Sequence, residues 1–240
     1  MNASVEAAPV EILRERFAER VERGARRAVA DRGSFTLALS GGSAATVLLP
    51  RLVRAAVDWR RVDVFWIDER AVPQDDPESN AGAAMTAFIR RVPLRTERVH
   101  VMPAASPDLA AAAEEYERTM RRVLGGTPAF DLVFLGMGPD GHVASLFPGH
   151  PLLEESRRWV AAVTDSPKPP PARLTVTMPV LQSARETVLF VTGTEKGTKL
   201  AGALRHPENG LPVARALDGP GTATILVDEE AGSALQAPIR

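Results

Sequence analysis

Asp140 and His142 flank one glycine in the stretch GMGPDGHVASLFPG (136–149). A carboxylate and an imidazole this close suit proton transfer, because histidine, with an ordinary pKa of about 6.5, changes charge nearest neutrality. The stretch follows the apolar run FDLVFL (130–135), which predicts a buried strand, and Gly136, Gly138 and Gly141 permit positive φ and close backbone approach by a ligand. In open α/β sheets a loop at a strand's carboxyl end faces the ligand crevice, so 136–149 reads as an active-site loop. The competing reading is a plain tight turn at Pro139-Asp140-Gly141 with His142 facing solvent. Three further clusters favour the first.

The run FTLAL (35–39) predicts a strand and is followed by SGGS (40–43). Two glycines and then Ser43, placed to cap a helix over 44–49, would leave exposed amide donors, the outline of a phosphate cradle. The same pattern is also ordinary strand-to-helix punctuation. A second strand, VDVFWI (62–67), ends on Asp68-Glu69-Arg70. Three charges there must face a solvated cleft or pair with one another, and a cleft is the more economical reading. Four prolines within SPKPPP (166–171) hold a stiff, extended loop that can place Lys168 and Arg173, or serve simply as a rigid surface connection. A strand over 186–192 precedes a helix carrying Lys196 and Lys199.

The elements that must carry these clusters follow from hydrophobic spacing. Ile12, Leu13, Phe17, Val21 and Val29 predict an amphipathic surface helix over 10–30. Pro50 ends or kinks the helix before it. A helix over 81–90 follows the polar loop 74–80, then a strand at 99–102, a helix at 108–124, and strands at 159–163, 173–177 and 222–227, with an unremarkable tail. His100 reads as a satisfied strand histidine, and Glu114, Glu115 and Glu117 as a solvated helix face. The alternation predicts an α/β fold: one domain over 1–240, with a mainly parallel sheet covered by helices on both faces.

Lys and Arg total 29 against 30 Asp and Glu, which leaves no obvious polyanion surface, so nucleic acid is not an expected partner. Cysteine is absent, which removes disulfides, thiolate metal sites and a cysteine nucleophile. No apolar run approaches the roughly 18 residues of a membrane span, and no basic-then-apolar leader opens the chain, so a cytoplasmic protein is expected. His100, His142, His150 and His206 show no HExxH spacing, and no metal site is expected. GxxxxGK[ST] does not occur, which argues against nucleoside triphosphates.

Taken together and in order, SGGS (40–43), IDERAVPQDDPESN (67–80), GMGPDGHVASLFPG (136–149), SPKPPPARLTVT (166–177) and VTGTEK (191–196) resemble the 6-phosphogluconolactonase family. The resemblance implies a Rossmann-like fold of the sugar-phosphate isomerase type, shared with glucosamine-6-phosphate deaminase. It also implies hydrolysis of 6-phospho-D-glucono-1,5-lactone in the oxidative pentose phosphate pathway, without metal or organic cofactor. His142 would then activate water, with Asp140 orienting its ring or holding a substrate hydroxyl. The phosphate would meet the amides of Gly41, Gly42 and Ser43 together with Arg70, Arg173 and Lys196, with Lys168 at the rim and Asp68 and Gly138 also lining the substrate site. Ser145 would be a loop or substrate hydrogen-bond residue rather than a nucleophile, since a lactone is already an activated acyl group.

Where the family commonly has Thr-Pro after SGGS, this chain has Ala44-Ala45, so a hydroxyl and a preset helical φ are missing. The alternative within the fold is an amino-sugar-6-phosphate deaminase, which carries a Glu seven residues after the loop Asp and a Tyr after Asp-Glu. Phe147 and Arg70 stand there instead. A non-catalytic sugar-phosphate sensor is the alternative from another class. The expected partner is a small sugar-phosphate lactone alone, and the expected state a monomer or weak dimer.

Overall fold

In the computed structural model residues 3–236 are described; residues 1–2 and 237–240, which the expected 1–240 domain includes, lie outside the described residues. The chain runs through β1 (Ala3–Ala7), α1 (Val10–Arg32), β2 (Phe35–Leu39), α2 (Gly42–Leu48), β3 (Val62–Trp66), β4 (Asp68–Arg70), α3 (Asn80–Ala87), β5 (Val99–His100) and α4 (Leu109–Leu124). It continues through β6 (Leu132–Gly136), β7 (Val160–Val163), β8 (Arg173–Val176), α5 (Met178–Gln182), β9 (Glu186–Val191), α6 (Thr194–Arg205), α7 (Pro212–Leu217), β10 (Thr222–Val227) and α8 (Glu229–Gln236).

Seven strands form a parallel sheet in the order β1-β10-β9-β6-β2-β3-β5, flanked by helices. Every residue of β2 and β3 is buried, which is why these strands read as mostly apolar runs, with Asp63 of β3 paired to Arg98 and His100. Phe17 of α1 packs on Phe134 of β6 with ring centroids 5.0 Å apart, and Tyr116 of α4 accepts the Trp66 N–H at 2.9 Å, pinning the end of β3. From β2 the chain passes to β3 on one side, whereas β6 lies on the other side of β2 and pairs onward with β9. Loops leaving the carboxyl ends of neighbouring strands therefore diverge at β2 and β6 and open a crevice between them.

The strands expected at 159–163 and 173–177 do not join this sheet. With β4 they make a separate antiparallel sheet, β4-β8-β7, in which Asp68 pairs with Thr175 and Arg70 with Arg173. Ile67 is the pivot: its N–H donates to Leu39 O in the parallel sheet at 2.9 Å, and its carbonyl accepts from Val176 N at 2.7 Å. The charged segment after β3 is thus itself a strand.

Some element ends also differ. Pro50 lies in the first turn of a 3-10 helix, Leu49–Arg54, that follows α2 directly, and the helix expected over 81–90 closes at Ala87 before a 3-10 turn at Ile89–Arg91. The strand expected at 99–102 is only two residues long. The tail contains α8, whose Ala231 N–H donates to the Asp228 carboxylate at 2.8 Å. Edge strand β1 has no apolar run to announce it and pairs only with β10. Glu117 is not merely solvated: its carboxylate accepts the Trp159 N–H at 2.7 Å and so joins α4 to the start of β7.

Candidate active site

The loop after β6 puts the two expected groups in contact. His142 Nδ1 lies 2.5 Å from Asp140 Oδ1. An ionised carboxylate only accepts, so in the neutral imidazole Nδ1 carries the hydrogen and Nε2 the lone pair, and Nε2 has no partner among the described residues. The bond to Asp140 fixes the orientation of the ring. Gly141 takes φ +88°, which turns the chain between the two, and Gly138 is required by contact: a Cβ there would stand 2.0 Å from His142 Cε1. Phe147 packs its ring on the imidazole, centroids 4.7 Å apart, where a deaminase-type carboxylate would have to stand.

Burial is the leading influence on His142 and pushes it below its ordinary value. Asp140 pulls it back up, and the Lys168 charge lowers it further. For Asp140 burial raises the pKa, but the hydrogen bond and charge of His142, its backbone N–H and the Lys168 charge together outweigh it and hold the carboxyl below the usual range.

Lys168 Nζ lies 3.4 Å from Asp140 Oδ1 and 3.5 Å from His142 Nδ1, beside the Asp140–His142 pair. Arg173 lines the pocket but is itself buried and bonded to backbone: Nε donates to Pro170 O at 2.9 Å and Nη2 to Lys168 O at 3.0 Å.

The Asp68-Glu69-Arg70 cluster neither opens wholly to a cleft nor pairs within itself. Glu69 is buried and accepts the N–H of Asn80 at 2.8 Å and of Ala81 at 2.7 Å, with the Ser79 hydroxyl at 3.1 Å, so it holds the start of α3. Burial, against those amides, raises its pKa. Asp68 is buried at the pocket wall, accepting from Ser145 Oγ at 2.8 Å and from Asn80 Nδ2 at 3.3 Å. Ser145 is completely buried and committed to that bond, so it is neither nucleophile nor substrate contact. Arg70 also lines the pocket, but its Nη1 donates to Glu78 O at 2.8 Å and lies 3.3 Å from the Glu78 carboxylate.

At the carboxyl end of β2, Gly41 is the residue before α2, so Ser43 lies in the first turn and caps nothing. Its hydroxyl has no bond among the described residues, and it lines the pocket with Gly41 and Gly42. Lys196, from the first turn of α6, enters the same pocket with no hydrogen bond or ion pair among the described residues; burial lowers its pKa, and the Lys168 charge adds to that. The pocket has a cavity volume of about 150 Å³. Gly138 lines it as expected. Asn80 and Thr192 line it too, and neither was assigned from sequence; the signals were Ser79-Asn80 opening a helix and a threonine just past a strand. Among the described residues no group of three or more His, Asp or Glu could hold a metal ion, and no helix is long and apolar enough to cross a membrane.

A crevice at a switch point of a parallel sheet, with an imidazole bonded to Asp140 and the Lys196 ammonium on its walls, defines an α/β protein with a site for a small anionic molecule. The chain belongs to the family described as glucosamine-6-phosphate isomerases/6-phosphogluconolactonase, whose model matches residues 10–225. The 6-phosphogluconolactonase of Rattus norvegicus is 40% identical over 215 residues, covering 87% of this chain and 83% of the rat protein. That of Mycobacterium bovis is 39% identical over 246 residues, covering 98% and 99%. The solved structure of 6-phosphogluconolactonase from Trypanosoma cruzi matches with a TM-score of 0.86 at 29% identity, covering 98% of this chain and 97% of that one.

Proposed function

We propose that this protein hydrolyses 6-phospho-D-glucono-1,5-lactone to 6-phospho-D-gluconate, with His142 as the general base. The observation that carries the reading is the imidazole with Nδ1 held by Asp140 and Nε2 unpartnered, in one pocket with Lys196. Nε2 takes a proton from a water as the water oxygen attacks the lactone carbonyl carbon. The tetrahedral intermediate collapses with cleavage of the bond to the ring oxygen, and the imidazolium returns the proton to that leaving alkoxide. Asp140 keeps the ring in the required tautomer and stabilises the imidazolium.

The substrate phosphate, with a charge near minus two, sits against the amides of Gly41, Gly42 and Ser43, Lys196 and Arg70. Lys196 has no competing partner, whereas Arg70 must exchange or share Glu78. Asp68, fixed by Ser145 and Asn80, accepts from a sugar hydroxyl. The step uses no metal or organic cofactor, and the protein acts on a small molecule in the cytoplasm as a monomer or weak dimer.

The test is decay of freshly generated 6-phosphogluconolactone, read against its spontaneous hydrolysis. Acceleration proportional to protein concentration is expected. A melting-temperature shift with 6-phosphogluconate but no acceleration would instead identify a sensor.

A further inference from the structure

Arg173 was expected to meet the phosphate, yet its guanidinium is turned to its own chain. It is 3% exposed; Nε donates to Pro170 O at 2.9 Å, and Nη2 to Lys168 O at 3.0 Å and to Pro169 O at 3.2 Å. Nη1 lies 3.4 Å from Ser145 Oγ, so only one N–H, on Nη1, is left over. The three carbonyls belong to consecutive residues of the proline-rich segment, where the prolines offer no N–H donors and few backbone bonds can brace the chain. The other side of the segment is closed by Ser166: its N–H donates to Pro171 O at 3.1 Å and its hydroxyl to Lys168 O at 2.8 Å. The Lys168 backbone is thus fixed from both sides, with Nζ against Asp140 Oδ1 and His142 Nδ1.

We propose that Arg173 is a positioning residue whose grip on 168–170 holds Lys168 against the Asp140–His142 pair, and that Lys168 thereby sets the pH range in which His142 accepts a proton. An ammonium beside the imidazole disfavours the imidazolium directly. It also donates to the oxygen that receives Nδ1–H, which weakens the pull of Asp140 on the ring. The charged groups facing His142 are Asp140 on its own loop, Lys168 from the proline segment and Asp68 from β4, with Lys196, Arg70 and Arg173 elsewhere on the pocket wall. The proposal rests on His142 being the base.

The experiment is the pH profile of kcat/KM with unphosphorylated glucono-1,5-lactone, which carries no titrating phosphate, after subtraction of spontaneous hydrolysis. Lys168→Met should move the acid limb to higher pH by roughly half a pH unit, the scale of a partly exposed charge pair, and Lys168→Arg should restore it. Arg173→Lys should move it the same way, add nothing in the Lys168→Met background, and keep the preference for the phosphorylated lactone. An unmoved limb in Lys168→Met overturns the proposal. So does Arg173→Lys with an unmoved limb and a lost preference for the phosphorylated lactone, because Arg173 is then a phosphate ligand. If Arg173→Lys fails to fold, the Lys168 pair decides alone. His142→Asn separates the two levels: a limb that persists in it removes His142 as the base, whereas a limb abolished in it but unmoved by Lys168→Met sinks only the role given to Arg173 and Lys168.

Discussion

Oδ1 of Asp140 lies 2.5 Å from Nδ1 of His142 and also takes the His142 backbone N–H at 3.3 Å, so one carboxylate oxygen fixes both the ring and the loop beneath it. Asn at 140 could present its amide nitrogen to Nδ1 and favour the opposite tautomer, with the hydrogen on Nε2. Asp140→Asn should therefore lower kcat by roughly 10²- to 10⁴-fold while circular dichroism and Tm stay close to wild type. Activity within a few-fold of wild type would remove Asp140 from the proton path.

The pH dependence has a definite sign. Burial, partly offset by Asp140, holds the His142 pKa below 6.5. A general base works when neutral, so kcat/KM should be full above pH 6.5 and fall as pH drops through that lower value. Stability shares the sign: the neutral buried ring favours the folded state above the unfolded value of 6.5, and this contribution is lost as pH falls through the folded one. Rate measurements on unphosphorylated gluconolactone locate the limb, since the substrate phosphate titrates near pH 6 and would overlap it.

Gly138 offers a test that alters neither His142 nor Asp140 chemically. Its added Cβ would meet His142 Cε1 at 2.0 Å and Nδ1 at 2.2 Å, so Gly138→Ala must displace the imidazole. A shift of about 1 Å at a reacting group can lower rate by about 10²-fold, and kcat should fall by that order. Crystallography of the variant should show the ring moved away from Asp140.

For the phosphate, Lys196→Ala should erase most of the preference for phosphorylated over unphosphorylated lactone. Arg70→Ala should act less strongly, because Arg70 already engages Glu78. The ratio of the two kcat/KM values is the readout. A ratio unchanged in both variants would move the phosphate to another part of the pocket.

The parallel sheet was legible because β2, β3 and β6 are buried on both faces and leave mostly apolar runs, and His142 with Asp140 was legible because both sit within one loop. The small antiparallel sheet was not. Arg70 pairs with Arg173 from a distant part of the chain, and neither segment carries a local sign of its partner. The same blindness explains Glu69 and Arg173. Charge alone suggested a cleft wall for Glu69 and a phosphate contact for Arg173, but the first holds the amides at the start of α3 and the second holds the carbonyls of 168–170. Residue type announced the charge; only the fold could reveal that backbone groups already occupied it. Ser145 was hidden likewise, its hydroxyl donating to Asp68 from the start of β4.

The most direct measurement is the hydrolysis rate of fresh 6-phosphogluconolactone by wild type and His142→Asn at pH 7.5, each corrected for the spontaneous reaction. With His142 as the water-activating base, the variant should keep its fold and bind 6-phosphogluconate while kcat falls by roughly 10²- to 10⁴-fold. A folded variant turning over at the wild-type rate would contradict the assignment.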